Sequence, residues 1–140
     1  MAATTTWTGV QATTPALTGG VEVAWGNTGG TGTFVAVGQS TSNNLLYSDD
    51  AAVTWQAATT TVSQQLASVC WGSDKFVAVQ HTCASVLACV ITSADGITWA
   101  TQSFGTGPTR TGNWYNVQYG GGHFVAAMHR FRSSEPKPIQ

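Results

Sequence analysis

The chain carries three copies of one pattern, and this repetition constrains its fold more than any other feature. The segment FVAVG at 34–38 recurs as FVAVQ at 76–80 and as FVAAM at 124–128. Each is preceded by a segment ending in an aromatic residue and Gly: VEVAWG at 21–26, ASVCWG at 67–72 and YNVQYG at 115–120. The matching aromatics Trp25, Trp71 and Tyr119 lie 46 and 48 residues apart. A second landmark gives the same period. Trp closes both LLYSDDAAVTW at 45–55 and VITSADGITW at 90–99, and Trp7 stands in the same relation to the first repeat. Trp7, Trp55 and Trp99 are separated by 48 and 44 residues. A period of about 46 residues marks a supersecondary unit that stacks on its neighbours.

Each unit reads as a meander of four strands, a to d. In strand a, Val21, Val23 and Trp25 point one way and Glu22 and Ala24 the other, a period of two. Strand b is continuously apolar, as in a strand covered on both faces. Gly-rich turns join the two, at 26–32, 72–74 and 120–122. Strand c runs into a turn, and d begins at the closing Trp. No segment shows a helical period of useful length. A four-stranded meander at this spacing is the signature of a propeller blade. The expected fold is all-β, with three propeller-like four-stranded antiparallel blades at about 7–54, 55–98 and 99–130. They form one domain over 1–130, followed by a tail at 131–140. The Trp residues that recur at repeat positions are expected in the core.

The turns between c and d resemble a known motif. SDDAAVTW at 48–55 and SADGITW at 93–99 look like the Asp-box, the Ser-x-Asp-x-Gly-x-Thr-Trp hairpin of sialidase-like and related propellers. The chemistry suits a turn: a carboxylate accepts from amides with no strand partner, Gly permits positive φ, and Trp covers the turn. Both copies depart from the pattern. The first has Ala52 where Gly is expected, and the second has Gly96 but is one residue short. The likeness covers roughly residues 5–130, and the looser pattern VAWG…FVAVG…YSDD…TW looks like the propeller repeats of phage tail and surface proteins and of some secreted bacterial proteins. In that family Asp-boxes are structural. The resemblance therefore implies a turn-forming role for Ser48, Asp50, Trp55, Ser93, Asp95, Gly96 and Trp99.

Three blades do not close a propeller, which typically has roughly four to eight. The third unit stops after strand b, while an extra d strand, containing Trp7, sits at the N-terminus. Open strand edges are aggregation hazards. The expectation is that oligomerisation completes the third blade, the N-terminal strand of one copy joining its neighbour. A homodimer with six blades is favoured. An open set of blades packed against another protein is the second possibility.

Charged residues make up only 8 % of the chain and the net charge is −1. Nucleic-acid binding, which needs a basic stripe, is not expected. Arg130, Arg132 and Lys137 cluster near the end and read as solvated. No export signal of the common form and no membrane-length apolar run is seen, so a membrane partner is not expected. Cys70, Cys83 and Cys89 are an odd number and read as free thiols acting as small apolar residues. Cys83 and Cys89 flank a hairpin turn and can pair in an oxidising compartment.

Catalysis is not expected. Glu22 and Glu135 are the only glutamates, Asp49, Asp50, Asp74 and Asp95 sit in turn-like segments, and nothing forms the carboxylate pair of a glycosidase. Only Arg110 among the arginines lies within the body of the repeats. His81, Cys83 and Cys89 match no strong zinc spacing, so neither metal nor cofactor is expected. The GNTGGTG loop lacks the Lys and helix of a phosphate cradle. Trp114 breaks the repeat, aligning with Gly20 and Leu66. With Asn113 and Tyr115 it is the candidate ligand contact, a packing role at a blade edge being the alternative. The favoured function is a non-enzymatic structural or binding protein on a phage virion surface, such as a decoration, fibre or tail-surface subunit, with other virion proteins or surface polysaccharide as further partners. An oligomeric, extracellular carbohydrate-binding lectin is the alternative, and a glycoside hydrolase the remote one.

Overall fold

A computed structural model of the chain describes residues 15–60, 63–83, 89–103 and 112–130. The described residues contain eleven strands and no helix, arranged in three antiparallel sheets. Sheet 1 has the order β1(Gly20–Gly26), β2(Thr33–Gly38), β3(Leu45–Ser48), β4(Gln56–Ala57). Sheet 2 has β5(Leu66–Gly72), β6(Lys75–Gln80), β8(Val90–Ser93), β9(Ala100–Gln102). Sheet 3 has the order β11(His123–Arg130), β10(Gly112–Gly120), β7(Thr82–Cys83). Each closing strand belongs to the sheet of the hairpin it ends, so a repeat cut at Trp55 and Trp99 is offset from the sheet boundaries. The N-terminal strand expected around Trp7 and the tail at 131–140 lie outside the described residues.

The registers repeat as closely as the sequence does. Trp25 pairs with Phe34, Trp71 with Phe76 and Tyr119 with Phe124. A bulge follows Gly20, Leu66 and Trp114, the three positions aligned by sequence. The β5–β6 and β10–β11 turns have two residues, Ser73–Asp74 and Gly121–Gly122, all at positive φ. That backbone matches the twist of a tight hairpin.

Strand β7 was not foreseen. After β6 the chain crosses to sheet 3, pairs Thr82 and Cys83 with Asn113 and Gly112, and returns to sheet 2 at β8. The expected free thiols at Cys83 and Cys89 are corrected here: the two are joined in a disulfide, with Cα atoms 5.4 Å apart. The bond pins the excursion to the start of β8. Cys70 stays free and buried.

Two cores lie between the sheets. Val35, Val37 and Leu45 of sheet 1 meet Leu66, Val69, Phe76, Ala78, Ile91 and Trp99 of sheet 2. Val77 and Val79 of sheet 2, with Cys70 and the disulfide, meet Trp114 and Val117 of sheet 3. Burying each such aliphatic side chain contributes about 1.5–3 kcal/mol. Sheet 2 is thus covered on both faces, and β6 is buried beyond Lys75 and apolar from Phe76 to Val79. The expectation that recurring Trp residues are core is corrected at Trp25. Its side chain is 48 % exposed, as are Val21 and Val23 beside it at 46 % and 57 %. The reason is position in the chain: no sheet precedes β1 among the described residues, so the face that sheet 2 buries lies open on sheet 1.

Candidate functional site

The predicted ligand group is divided between core and surface. Trp114 is 4 % exposed, with its ring in the second core. It occupies the position of Leu66, which is 1 % exposed, and its backbone N–H donates to the His81 carbonyl at 3.0 Å. A ring so placed has no face for stacking on a ligand, so Trp114 takes the packing role. Tyr115 is the bulge residue and is exposed, its ring edge-on to His81 at 5.6 Å. Asn113 is half-buried, and its Oδ1 has no hydrogen-bond donor among the described residues. Of the three, only Tyr115 is exposed, and the Asn113 Oδ1 is itself buried.

The c–d turns are held by their aspartates. Asp50 Oδ1 accepts from the Thr54 N–H at 2.8 Å and from the Ser48 hydroxyl at 2.8 Å, and Oδ2 accepts from the Thr54 hydroxyl at 2.6 Å. The Ser48 hydroxyl in turn accepts from the Ala52 N–H. In the second turn Asp95 Oδ1 accepts from Ser93 Oγ and from the Ile97 and Thr98 N–H groups, all within 2.9 Å. Ser93 Oγ accepts from the Gly96 N–H, and Trp99 Nε1 donates to the Gly96 carbonyl at 3.0 Å. Trp99 is buried whereas Trp55 is only half-buried. These bonds hold the Asp50 carboxyl at about 2, Thr54 contributing most. For Asp95, burial pushes the carboxyl up, but the Thr98, Ile97 and Ser93 donors outweigh it and the net shift is downward. Every donor comes from within the turn, so both carboxylates are engaged in shaping it.

The titratable groups do not converge. No group of three or more His, Cys, Asp and Glu gathers among the described residues. Cys83 and Cys89 are spent on each other, which removes two of the three residues of the His81–Cys83–Cys89 spacing as thiolate ligands. The Cys70 thiol is pushed up to about 11, first by burial and then by the Glu22 charge, so it is a poor nucleophile.

What the structure does gather is a repeated contact between sheets. Trp71 of β5 lies over Gly26 of β1, where an added Cβ would sit 2.3 Å from the ring. Tyr119 of β10 lies over Gly72 of β5 in the same way, at 2.0 Å. Glu22 Oε2 accepts from the Val69 N–H at 2.9 Å, and Ser68 Oγ accepts from the Val117 N–H at 2.9 Å. Glu22 and Ser68 hold the same repeat position, as do Val69 and Val117. Each sheet therefore engages the next through one aromatic-on-glycine contact and one side chain-to-backbone hydrogen bond. Sequence reasoning did not assign these roles. The aromatic-Gly pair closing all three a strands was their visible signal. Further ties join the segment after β4 to the turn before β9: the Thr59 N–H donates to the Ile97 carbonyl at 2.7 Å, and the Trp99 backbone N–H to the Thr59 carbonyl at 3.0 Å.

No protein-family model, curated protein or solved structure matches the chain.

Proposed function

We propose that this chain is a non-catalytic structural subunit made of propeller-type blades, displayed on the surface of a phage particle. The observation that carries the reading is the repeated sheet contact. Sheets 1, 2 and 3 stack in chain order through identical positions, as blades do around an axis. The residues that recur in the sequence serve packing and turns: Trp71 and Tyr119 seat on glycine, and Asp50 and Asp95 close hairpins. A chain whose repeated chemistry is devoted to stacking is an architectural unit. Its surface agrees with display: polarity comes from Thr and Ser hydroxyls rather than from charge.

The test is recovery of the protein from purified phage particles. Stoichiometric copies are expected, resistant to salt washing, and absence from the particles rejects the virion reading. A second reading, a sugar-binding subunit, is supported by the exposed Tyr115 ring, whose hydroxyl adds a polar tip. Aromatic rings with adjacent polar groups suit amphipathic ligands. Saturable binding on a glycan array that Tyr115→Ala abolishes favours that reading, and a blank array removes it.

A further inference from the structure

We propose that the open face of sheet 1 docks onto the open face of sheet 3 in a second copy of this chain, so that two copies close a ring of six sheets. The inference rests on the propeller-type reading and names the partner of its two free faces.

The two faces are the unused halves of a contact that the chain already makes twice. One half comprises Val69, Trp71, Phe76 and Ala78 on sheet 2, packed against sheet 1. Its equivalents on sheet 3 are Val117, Tyr119, Phe124 and Ala126, packed against sheet 2. On sheet 1 the same positions are Val23, Trp25, Phe34 and Ala36, and Val23 and Trp25 lie about half open. The other half comprises Val35 and Val37 on sheet 1, both fully buried, and Val77 and Val79 on sheet 2. On sheet 3 those positions are Val125, 66 % exposed, and Ala127, also exposed. Val23 and Val125 are bare where both of their repeat equivalents are buried, which marks a missing neighbour.

The directional contacts are poised in the same way. Gly120 follows Gly26 and Gly72 in the repeat, and a Cβ placed on it would meet nothing within 4 Å. Trp25 is the aromatic without an inter-sheet glycine. Its ring folds over Gly32 of its own hairpin, with Nε1 3.3 Å from the Thr31 carbonyl. Asn116 follows Glu22 and Ser68 and is exposed, with a side-chain oxygen able to accept. Val23 pairs with Ala36 in the register in which Val69 pairs with Ala78, so its N–H also points away from its own sheet. Docked as the internal sheets dock, Trp25 of one copy covers Gly120 of the other, and Asn116 accepts from the Val23 N–H. Apolar face, glycine seat and acceptor all match a second copy.

The contact is head-to-tail, so it generates rings or filaments. With three sheets per chain, six is the only multiple within the usual range of roughly four to eight blades. The bare edge of β11 among the described residues is a separate feature, and the docking does not depend on it.

Sedimentation velocity across the micromolar range tests the proposal, comparing the wild type with Gly120→Val. The φ of Gly120 lies outside the left-handed region and its Cβ side is empty, so the substitution leaves the isolated chain undisturbed while filling the seat for Trp25. The wild type is expected at twice the 14.6 kDa chain mass. Gly120→Val is expected as a monomer with unchanged circular dichroism, its dissociation constant raised roughly a hundredfold or more. Val125→Asp, at an exposed site on the same face, is expected to do the same and serves if Gly120→Val fails to fold. A wild type that stays monomeric, or a dimer indifferent to both substitutions, overturns the docking. Neither result bears on recovery from particles, so the two proposals fail separately.

Discussion

The Glu22 carboxylate accepts a hydrogen bond from the backbone N–H of Val69 across the gap between two sheets, at 2.9 Å. One sheet later a hydroxyl, Ser68, performs the same task for Val117 at the same distance. Two chemically unlike side chains thus satisfy one recurring donor, and the donor is the fixed element. Val69 is 2 % exposed, so water cannot easily replace the acceptor. Glu22→Ala is expected to cost about 1–3 kcal/mol, the penalty of a buried unsatisfied N–H. Glu22→Gln, which keeps an acceptor, is expected to cost less. Urea unfolding of the three proteins measures the difference.

The glycine seats predict an asymmetry. A Cβ at Gly26 would lie 2.3 Å from the Trp71 ring and 2.5 Å from Phe76, which is fully buried and has nowhere to go. The three atoms nearest a Cβ at Gly72 all belong to Tyr119, which is 37 % exposed and can tilt outward. Gly26→Ala is therefore expected to destabilise by about 1–3 kcal/mol, the usual range for overpacking, and Gly72→Ala by less. Equal losses in a denaturant titration would show that ring mobility does not decide the cost.

The sequence carried the sheets because their determinants are local. Period-two alternation, Gly-rich turns and the 46-residue spacing located strands a, b and c in the first two units, and aligned Trp114 with Leu66 across a bulge. Two things were not legible. Burial of strand a depends on which sheet comes before it, so Trp25 reads as core by analogy with Trp71 and is nevertheless half open. The excursion of β7 is two residues long, too short for any periodicity, and only pairing across the sheets creates it. The place of Trp114 in the core was hidden for a related reason. Trp114 departs from the residue types at its repeat position, which looked like a surface innovation, but Leu66 at that position is core and Trp114 fills the same space.

Acid should loosen the c–d turns in a defined window. A folded-state value below the ordinary carboxylate value of 3.8 means that ionisation favours the folded state. The contribution is complete above the unfolded value and fades as pH falls from there towards about 2, where Asp50 takes up its proton in the folded chain. Melting temperature is expected to drop across that interval. Asp50→Asn with Asp95→Asn should lower it at neutral pH and flatten the acid decline. An unchanged acid slope in the double variant would mean that other groups govern acid unfolding.

The first of these turns contains a built-in strain. Ala52 stands where the motif calls for Gly, and its φ is +67°. Gly96 adopts +79° in the second turn without a Cβ to oppose it. An L-residue in this region costs roughly 1–2 kcal/mol, part of which the greater unfolded-state freedom of Gly cancels. Ala52→Gly is expected to stabilise the chain by about 0.5–1 kcal/mol, read as a rise in the denaturation midpoint. Ala51, at +61°, offers a second site for the same comparison.

Thiol counting tests the cross-sheet staple. The Cys70 thiol is buried and its ionisation is suppressed to about 11, so the native protein should react slowly with a disulfide reagent at neutral pH. In denaturant without reductant, one thiol per chain should appear, and after reduction three. Three thiols before reduction would show that Cys83 and Cys89 are not joined. Closing so short a loop constrains the unfolded chain by about 2 kcal/mol on chain-entropy grounds. The replacement of both residues by Ser should lower stability by that order and loosen β7 from β10 first, because only two residue pairs hold that strand in sheet 3. Hydrogen exchange at Thr82 and Cys83 should therefore quicken before exchange in β10 and β11 does.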